Sequence, residues 1–337
     1  MQKGRPGPVV TPGGMGDRSG VTLPIHVVTG GAGFIGSHLV RALCRAGRRV
    51  RVVDDFSTGR RENVPPDVEL LEGDVVRLAP RAVARASVVY HLAAMVSVPR
   101  SVEDPGECHR STAESTLALL RAGEEAGVRR LVLASSSAVY GDEAGFPRKE
   151  GQRAAPVSPY GIAKLCSELY AGYWATRGSI ETVSLRFFNV YGPRQDPDSP
   201  YAAAIPIFLR HLREGLPVPV FGDGSQTRDF TYVGDVVRGL MAAAEAPGIS
   251  GRTYNIAAGR PVAVLDLIRT LGGVLDAPVR LKFLPPRAGD IAQSWADVTA
   301  ARRDLAFDPR TPLERGLRVT VRWFRRARRS FVRSVAA

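Results

Sequence analysis

Residues 25–47 read IHVVTGGAGFIGSHLVRALCRAG. The apolar, β-branched run Ile25-His26-Val27-Val28-Thr29 predicts a short strand, and the glycine turn behind it opens directly into an amphipathic helix. Gly30, Gly33 and Gly36 are spaced G-x-x-G-x-x-G. The first permits a sharp turn, the second lets the backbone approach a pyrophosphate, and the third lets the helix pack closely on the strand. The start of that helix, at Phe34 and Ile35, then faces the phosphates. Strand, turn and helix in this order predict an α/β fold that binds a dinucleotide at the edge of a parallel sheet.

Outward from there, RRVRVVDD predicts a second strand, Val50 to Val53, ending at Asp54. An acidic side chain at that strand end accepts hydrogen bonds from an adenosine ribose and repels a 2′-phosphate, so NAD is preferred over NADP. Arg60 and Arg61, just beyond, offer the alternative of holding a phosphate. Gly73-Asp74-Val75 and the run Val88 to Ala94 read as further strand ends. They add Asp74, Val75, Leu92, Ala93 and Ala94 as cofactor contacts, with a plain turn aspartate as the alternative for Asp74.

Between Val132 and Lys164 the chain reads VLASSSAVYG, a loop, and then SPYGIAK. A buried strand ends in three serines, and a helix follows on which Tyr160 and Lys164 share one face. A cation held against a phenol favours phenolate, which lowers the Tyr160 pKa and suits it to act as general base on an alcohol. A serine from the neighbouring strand end can relay the proton. Tyr-x-x-x-Lys alone is common by chance, so the pair takes its meaning from the surrounding motifs.

The 337 residues carry 44% hydrophobic and 23% charged residues, as in ordinary globular proteins. The net charge is +13, and only Lys3, Lys149, Lys164 and Lys282 of the 46 basic residues are lysines. No basic cluster is interleaved with aromatics, so nucleic-acid binding is not indicated. Arg325 to Arg329 read as a solvated helix face, with a peripheral membrane contact as the alternative. Cys44, Cys108 and Cys166 are odd in number and far apart, which suggests neither disulfides nor a metal site and fits the cytoplasm. Residues 1–23 are rich in Gly and Pro without the apolar run of a signal peptide, and read as a disordered leader. No run of 18 apolar residues predicts a membrane span.

Taken together, TGGAGFIGSH (29–38), VVDDFSTGRREN (52–63), HLAAMVSVPRSVEDP (91–105), SSSAVYG (135–141), SPYGIAK (158–164) and RFFNVYGPRQ (186–195) resemble the extended short-chain dehydrogenase/reductase family. Within it they are similar to the nucleotide-sugar 4-epimerases typified by UDP-glucose 4-epimerase. The likeness continues through FGDGSQTRDFTYVGDVV (221–237), YNIAAG (254–259), PRAGDIAQSWAD (286–297) and PLERGLRVTVRWFR (312–325), and so covers nearly everything after residue 24.

The resemblance implies a Rossmann-type, doubly wound sheet at 24–185, rejoined by 233–257, with a smaller substrate lobe from 186–232 and 258–330 and a tail at 331–337. It selects Ser136 as the active-site serine and Tyr160 as the base, with Lys164 tuning Tyr160 and binding the nicotinamide ribose of a resident NAD. Hydride would leave carbon 4 of the sugar and return to its opposite face. Related dehydratases carry Asp-Glu, and decarboxylases Glu, where this chain has Ser137, Ala138 and Val139, so epimerisation is expected rather than loss of water.

Asn189, Arg228 and Arg287 match residues that hold the substrate diphosphate. Ala204, Phe221 and Asp290 would line the nucleotide end. Ser294 stands where a tyrosine excludes carbon-2 acetamido groups, so UDP-GlcNAc and UDP-GalNAc are expected substrates beside UDP-glucose and UDP-galactose. A UDP-glucuronate epimerase, or another enzyme tailoring a nucleotide-linked sugar, is the alternative; the former tend to have threonine at the place of Asn189. Thr112, Ser115 and Met95 depart from the family's usual Asn, Gly and Gln. A homodimer is expected through the helices after Glu107 and Tyr160.

Overall fold

A computed structural model of the chain describes residues 23–195, 204–286 and 292–335, with side chains as far as residue 326. Of the expected leader, only Leu23 lies among the described residues. Seven parallel strands form the central sheet: β1 (Ile25–Thr29), β2 (Arg49–Asp54), β3 (Glu69–Glu72), β4 (Ala86–His91), β5 (Arg130–Ser136), β6 (Glu181–Phe187) and β7 (Arg252–Ile256). Their order across the sheet is β7-β6-β5-β4-β1-β2-β3.

The strands are buried along most of their length and rich in Val and Leu at their centres because helices cover both faces. Val28 packs with Leu39 and Leu240 on one face, while its neighbour Val27 packs with Leu119 and Trp174 on the other. Helices α1 (Phe34–Arg45) and α2 (Val75–Val83) follow β1 and β3. Between β4 and β5 runs a helical stretch whose last segment is α3 (Ser115–Glu125), and α4 (Pro159–Arg177) joins β5 to β6. The order of strands reverses between β1 and β4, opening a crevice at their carboxyl ends.

The smaller lobe has its own core. Phe208 and Leu212 of α5 (Ala204–Glu214), Val218 and Val220 of a short strand, and Leu317 and Val321 meet there. Two further helices, α6 (Val233–Glu245) and α7 (Val264–Leu275), pack on the sheet and in the lobe respectively. The closing helix α8 (Leu313–Val335) runs on through most of the segment expected as a tail. Leu313, Leu317, Val321 and Phe324 recur at helical spacing and anchor its first half to the lobe. No helix among the described residues is long and apolar enough to cross a membrane.

Candidate active site

The cofactor cradle begins where β1 ends. Gly30 adopts φ +67°, a conformation that favours glycine, and a Cβ on Gly36 would lie 2.0 Å from the Gly30 carbonyl oxygen. At Gly33 a Cβ would meet only that oxygen, at 3.2 Å, so the turn is open in front of the N-terminus of α1. The Ala32 N–H donates to Asp54 Oδ2 (2.8 Å) and the Phe56 N–H to Asp54 Oδ1 (2.9 Å). Burial raises the Asp54 carboxyl above its usual range while these two N–H groups oppose the rise.

Arg61, the alternative phosphate ligand, is paired with Glu72 and lies 4.7 Å over the Phe56 ring. Asp74 caps α2, accepting from the Val76 N–H at 2.8 Å, and pairs with Arg110. Val75 and Ile35 pack their side chains against the core, whereas Phe34 sets its ring edge-on to His38. An open glycine turn, a helix N-terminus and a carboxylate at the end of β2 are the donor and acceptor set that a dinucleotide needs, and NAD fits it.

Ser158 caps α4 by accepting from the Gly161 N–H, and Pro159 occupies the first helical turn. The helix thus starts at a fixed point, one residue before Tyr160. The three serines at the end of β5 point to three different partners. Ser135 donates to Glu168, Ser136 accepts from the Ala138 N–H (3.2 Å) with its hydroxyl near enough to Tyr160 to oppose the rise of the phenol's pKa, and Ser137 lines a cavity. Lys164 is 4% exposed; its Nζ donates to the Ala134 carbonyl (2.7 Å) and sits 5.9 Å from the centre of the Tyr160 ring.

One expectation is corrected here. The phenol pKa was expected to be drawn down by Lys164, but desolvation pushes Tyr160 up, with the nearby Ser136 hydroxyl opposing the rise. The ammonium spends a hydrogen bond on the Ala134 carbonyl, and its own burial lowers Lys164 to about 8.

A buried network behind the serines was not foreseen. Arg186 holds Glu168 at two points, Nε to Oε1 (2.9 Å) and Nη2 to Oε2 (2.7 Å), with both side chains buried. The same guanidinium lies 4.6 Å over the Tyr140 ring, and the Tyr140 hydroxyl donates to Asn255 Oδ1 (2.6 Å). These contacts fix the ends of β5 and β6, and hence Ser136. His91 also escaped notice. Its Nδ1 lies 2.7 Å from Thr29 Oγ1 and its Nε2 3.2 Å from Ser115 Oγ, where a π-helical turn (Arg110–Glu114) meets α3. The HLAA motif marked the segment, but only the pairing of β1 with β4 puts Thr29 beside His91.

Two adjoining cavities lie on the lobe side. One, of about 290 Å³, is lined by Asn189, Ala204, Phe221 and Arg228 among others. The second, of about 170 Å³, is lined by Ser137, Ala138, Arg148, Asn189, Arg228 and Ser294, with Tyr140, Gly141, Phe188 and Gln293. Asn189 and Arg228 therefore stand at their junction. Asn189 adopts φ +25°, a conformation that asparagine tolerates better than most residues. Fully buried Asp229 accepts from the Ala258 (2.7 Å), Gly259 (3.0 Å) and Ala296 (3.4 Å) N–H groups and so ties the Arg228 strand to the segment carrying Ser294. Arg287 and Asp290 lie outside the described residues.

The arrangement can take a proton from a hydroxyl at Tyr160 next to a bound dinucleotide. Residues 26–257 match the NAD dependent epimerase/dehydratase family. A UDP-glucose 4-epimerase of Mycolicibacterium smegmatis is 37% identical over 308 residues, which cover 89% of this chain and 98% of that one. The UDP-glucose 4-epimerase of Thermotoga maritima, solved with UDP-glucose, superposes with a TM-score of 0.86 at 36% identity, covering 90% of this chain and 99% of its own. A UDP-glucuronic acid 4-epimerase of Bacillus cereus, solved with UDP-glucuronic acid and NAD, gives 0.83 at 32% identity and the same coverage. With its glycine cradle, its Ser136, Tyr160 and Lys164 and these relatives, the chain belongs to the NAD dependent epimerase/dehydratase family.

Proposed function

We propose that the protein is an NAD-dependent UDP-sugar 4-epimerase, acting on UDP-glucose and UDP-galactose and also on UDP-GlcNAc and UDP-GalNAc. The observation that carries this reading is the buried Lys164 ammonium, 5.9 Å from the centre of the Tyr160 ring with Ser136 at the adjoining strand end, beside a cavity that no carboxylate lines among the described residues. NAD, when bound, supplies the acceptor and donor of hydride. Tyr160 takes the proton of the carbon-4 hydroxyl and later returns it. Ser136, at the strand end beside the phenol, holds the hydroxyl in line, and the Lys164 ammonium favours the phenolate once the proton has moved. With Ser137, Ala138 and Val139 after Ser136, this segment offers no acid or base to eliminate water from a 4-keto sugar. The ketone is therefore reduced on its other face, and no net redox change results.

Cavity placement supports the remaining roles: Ala204 and Phe221 at the nucleotide end, Asn189 and Arg228 at the diphosphate, Ser294 at the sugar. The enzyme acts as a homodimer. Ile162, Leu169 and Tyr173 stand exposed along α4 at helical spacing, an apolar stripe that a second copy would cover. Cys44, Cys108 and Cys166 are free thiols, in keeping with a cytoplasmic enzyme.

The test is proton NMR of the purified protein with UDP-glucose, UDP-GlcNAc or UDP-glucuronate and no added reductant. Appearance of the carbon-4 epimers of the first two supports the reading. A released 4-keto product, or no conversion of any of the three, overturns it.

A further inference from the structure

The sugar-end cavity contains a cation that a neutral sugar does not call for. Arg148 is 3% exposed and lines the cavity with Ser137 and Ser294. Its backbone is pinned beside Ser294: the Arg148 N–H donates to the Trp295 carbonyl (2.9 Å) and the Asp297 N–H to the Arg148 carbonyl (2.9 Å). Its guanidinium lies 4.5 Å over the Phe146 ring and 5.7 Å from the Tyr140 ring centre, and Nη2 donates to the Gly141 carbonyl at 3.3 Å. It forms no ion pair with the carboxylates of the described residues, whereas the other buried arginines of the sheet, Arg51, Arg130 and Arg186, each do. Asp142 and Glu143 on the same loop are exposed and favour its charged form without pairing with it.

A buried guanidinium without a carboxylate partner is costly in a resting protein, and the cost is relieved by an anion that completes it. The substrate diphosphate does not fill that role, because Asn189 and Arg228 stand between Arg148's cavity and the nucleotide end. Held on two aromatic faces, the planar fork is pre-set for two-point contact with a carboxylate. Resting on the 4-epimerase reading above, we infer that Arg148 recognises a carboxylate carried by the sugar ring, and that the enzyme prefers acidic nucleotide sugars to neutral ones. The carboxylate is either the carbon-6 acid of a uronic acid or a carboxyalkyl ether on carbon 3.

Binding separates this inference from the reaction itself. Isothermal titration of NAD-loaded Tyr160→Phe protein with UDP-glucose, UDP-glucuronate and UDP-N-acetylmuramate measures preference without turnover. One of the two acids should bind at least about tenfold tighter than UDP-glucose, and which one does tells the position of the carboxylate. Adding Arg148→Met should abolish that ratio, and Arg148→Lys should keep part of it. Equal affinities for acid and neutral sugars overturn the inference. So does an Arg148→Met variant that weakens all three alike, which would mark the guanidinium as a wedge between rings. Failure of the wild-type enzyme to epimerise any UDP-sugar while the binding preference holds would overturn the reaction and spare the recognition.

Discussion

Thr29 Oγ1 lies 2.7 Å from His91 Nδ1, and this bond assigns the tautomer of a fully buried imidazole. The Thr29 oxygen already accepts from the Leu92 and Ala93 N–H groups, both at 3.2 Å, so its own proton goes to Nδ1. Nε2 then carries the ring proton and donates to Ser115 Oγ, whose hydroxyl passes on to the Ser111 carbonyl (2.8 Å). Burial lowers His91 to about 3, so the ring is neutral under working conditions. The chain of bonds holds the turn before Gly30, the loop 92–94 and the start of α3 in one arrangement.

Replacing His91 by Leu takes away the acceptor of the buried Thr29 proton and the donor to the Ser115 oxygen, at about 1–3 kcal/mol for each. Thermal unfolding should occur several degrees lower, and the purified protein should retain less NAD, measured by absorbance after denaturation. Acid should act in the same direction. An unfolded histidine binds its proton near pH 6.5, while the folded one resists until about 3, so stability from this group falls as pH drops through that interval. Asp229, raised to about 6, opposes this between its unfolded value near 3.8 and pH 6, and a His91→Leu variant isolates the difference.

Much of this site was legible in the sequence, because its motifs are local. Gly30, Gly33 and Gly36 act within one turn, and Tyr160 and Lys164 within one turn of helix, so spacing carries their meaning. What could not be read depends on strands far apart in the chain. Ser135, Glu168 and Arg186 lie on three elements that meet only in the folded sheet. The Tyr160 pKa was misjudged for the same reason: sequence shows which charges lie nearby along a helix but not how much water burial removes. Arg148 looked like any other arginine in a chain with 46 basic residues.

The glycines separate fold from cofactor binding. Gly36→Ala puts a Cβ 2.0 Å from the Gly30 oxygen, which the turn can relieve only by parting α1 from β1. That variant should be recovered in low yield or unfold early. Gly33→Ala meets only the Gly30 oxygen at 3.2 Å and should fold, yet it places a methyl group where a pyrophosphate is expected to approach. Its melting temperature without NAD should stay close to that of the parent, while its Kd for NAD rises by roughly tenfold or more.

Lys164 gives activity and stability opposite dependences on alkaline pH. Burial lowers it from 10.5 to about 8, so above pH 8 the folded enzyme loses the cation proposed above to favour the Tyr160 phenolate. A profile of kcat/KM should therefore fall above about pH 8. An unfolded lysine still binds its proton there, so between pH 8 and 10.5 the unfolded chain carries the extra proton and this group's stability contribution increases with pH. Urea titrations at pH 8 and pH 9.5, compared between the parent and Lys164→Met, measure that increase. A parent protein that gains nothing over the variant would show that the ammonium stays charged in the fold.

Ser294 lines the cavity proposed above to take the sugar. Its N–H donates to the Thr227 carbonyl (3.1 Å), which fixes the backbone against the strand carrying Arg228, and its side chain lines the cavity of about 170 Å³. A tyrosine anchored there would project a phenol into that volume, since the backbone cannot retreat without breaking the bond to Thr227. UDP-GlcNAc, whose acetamido group needs the space, should then be lost as a substrate, with kcat/KM falling by about a hundredfold or more, while UDP-glucose changes by less than about tenfold. Rates for both sugars in the parent and in Ser294→Tyr decide the matter. Parallel losses would mean that the acetamido group lies elsewhere and that Ser294 only spaces the two strands.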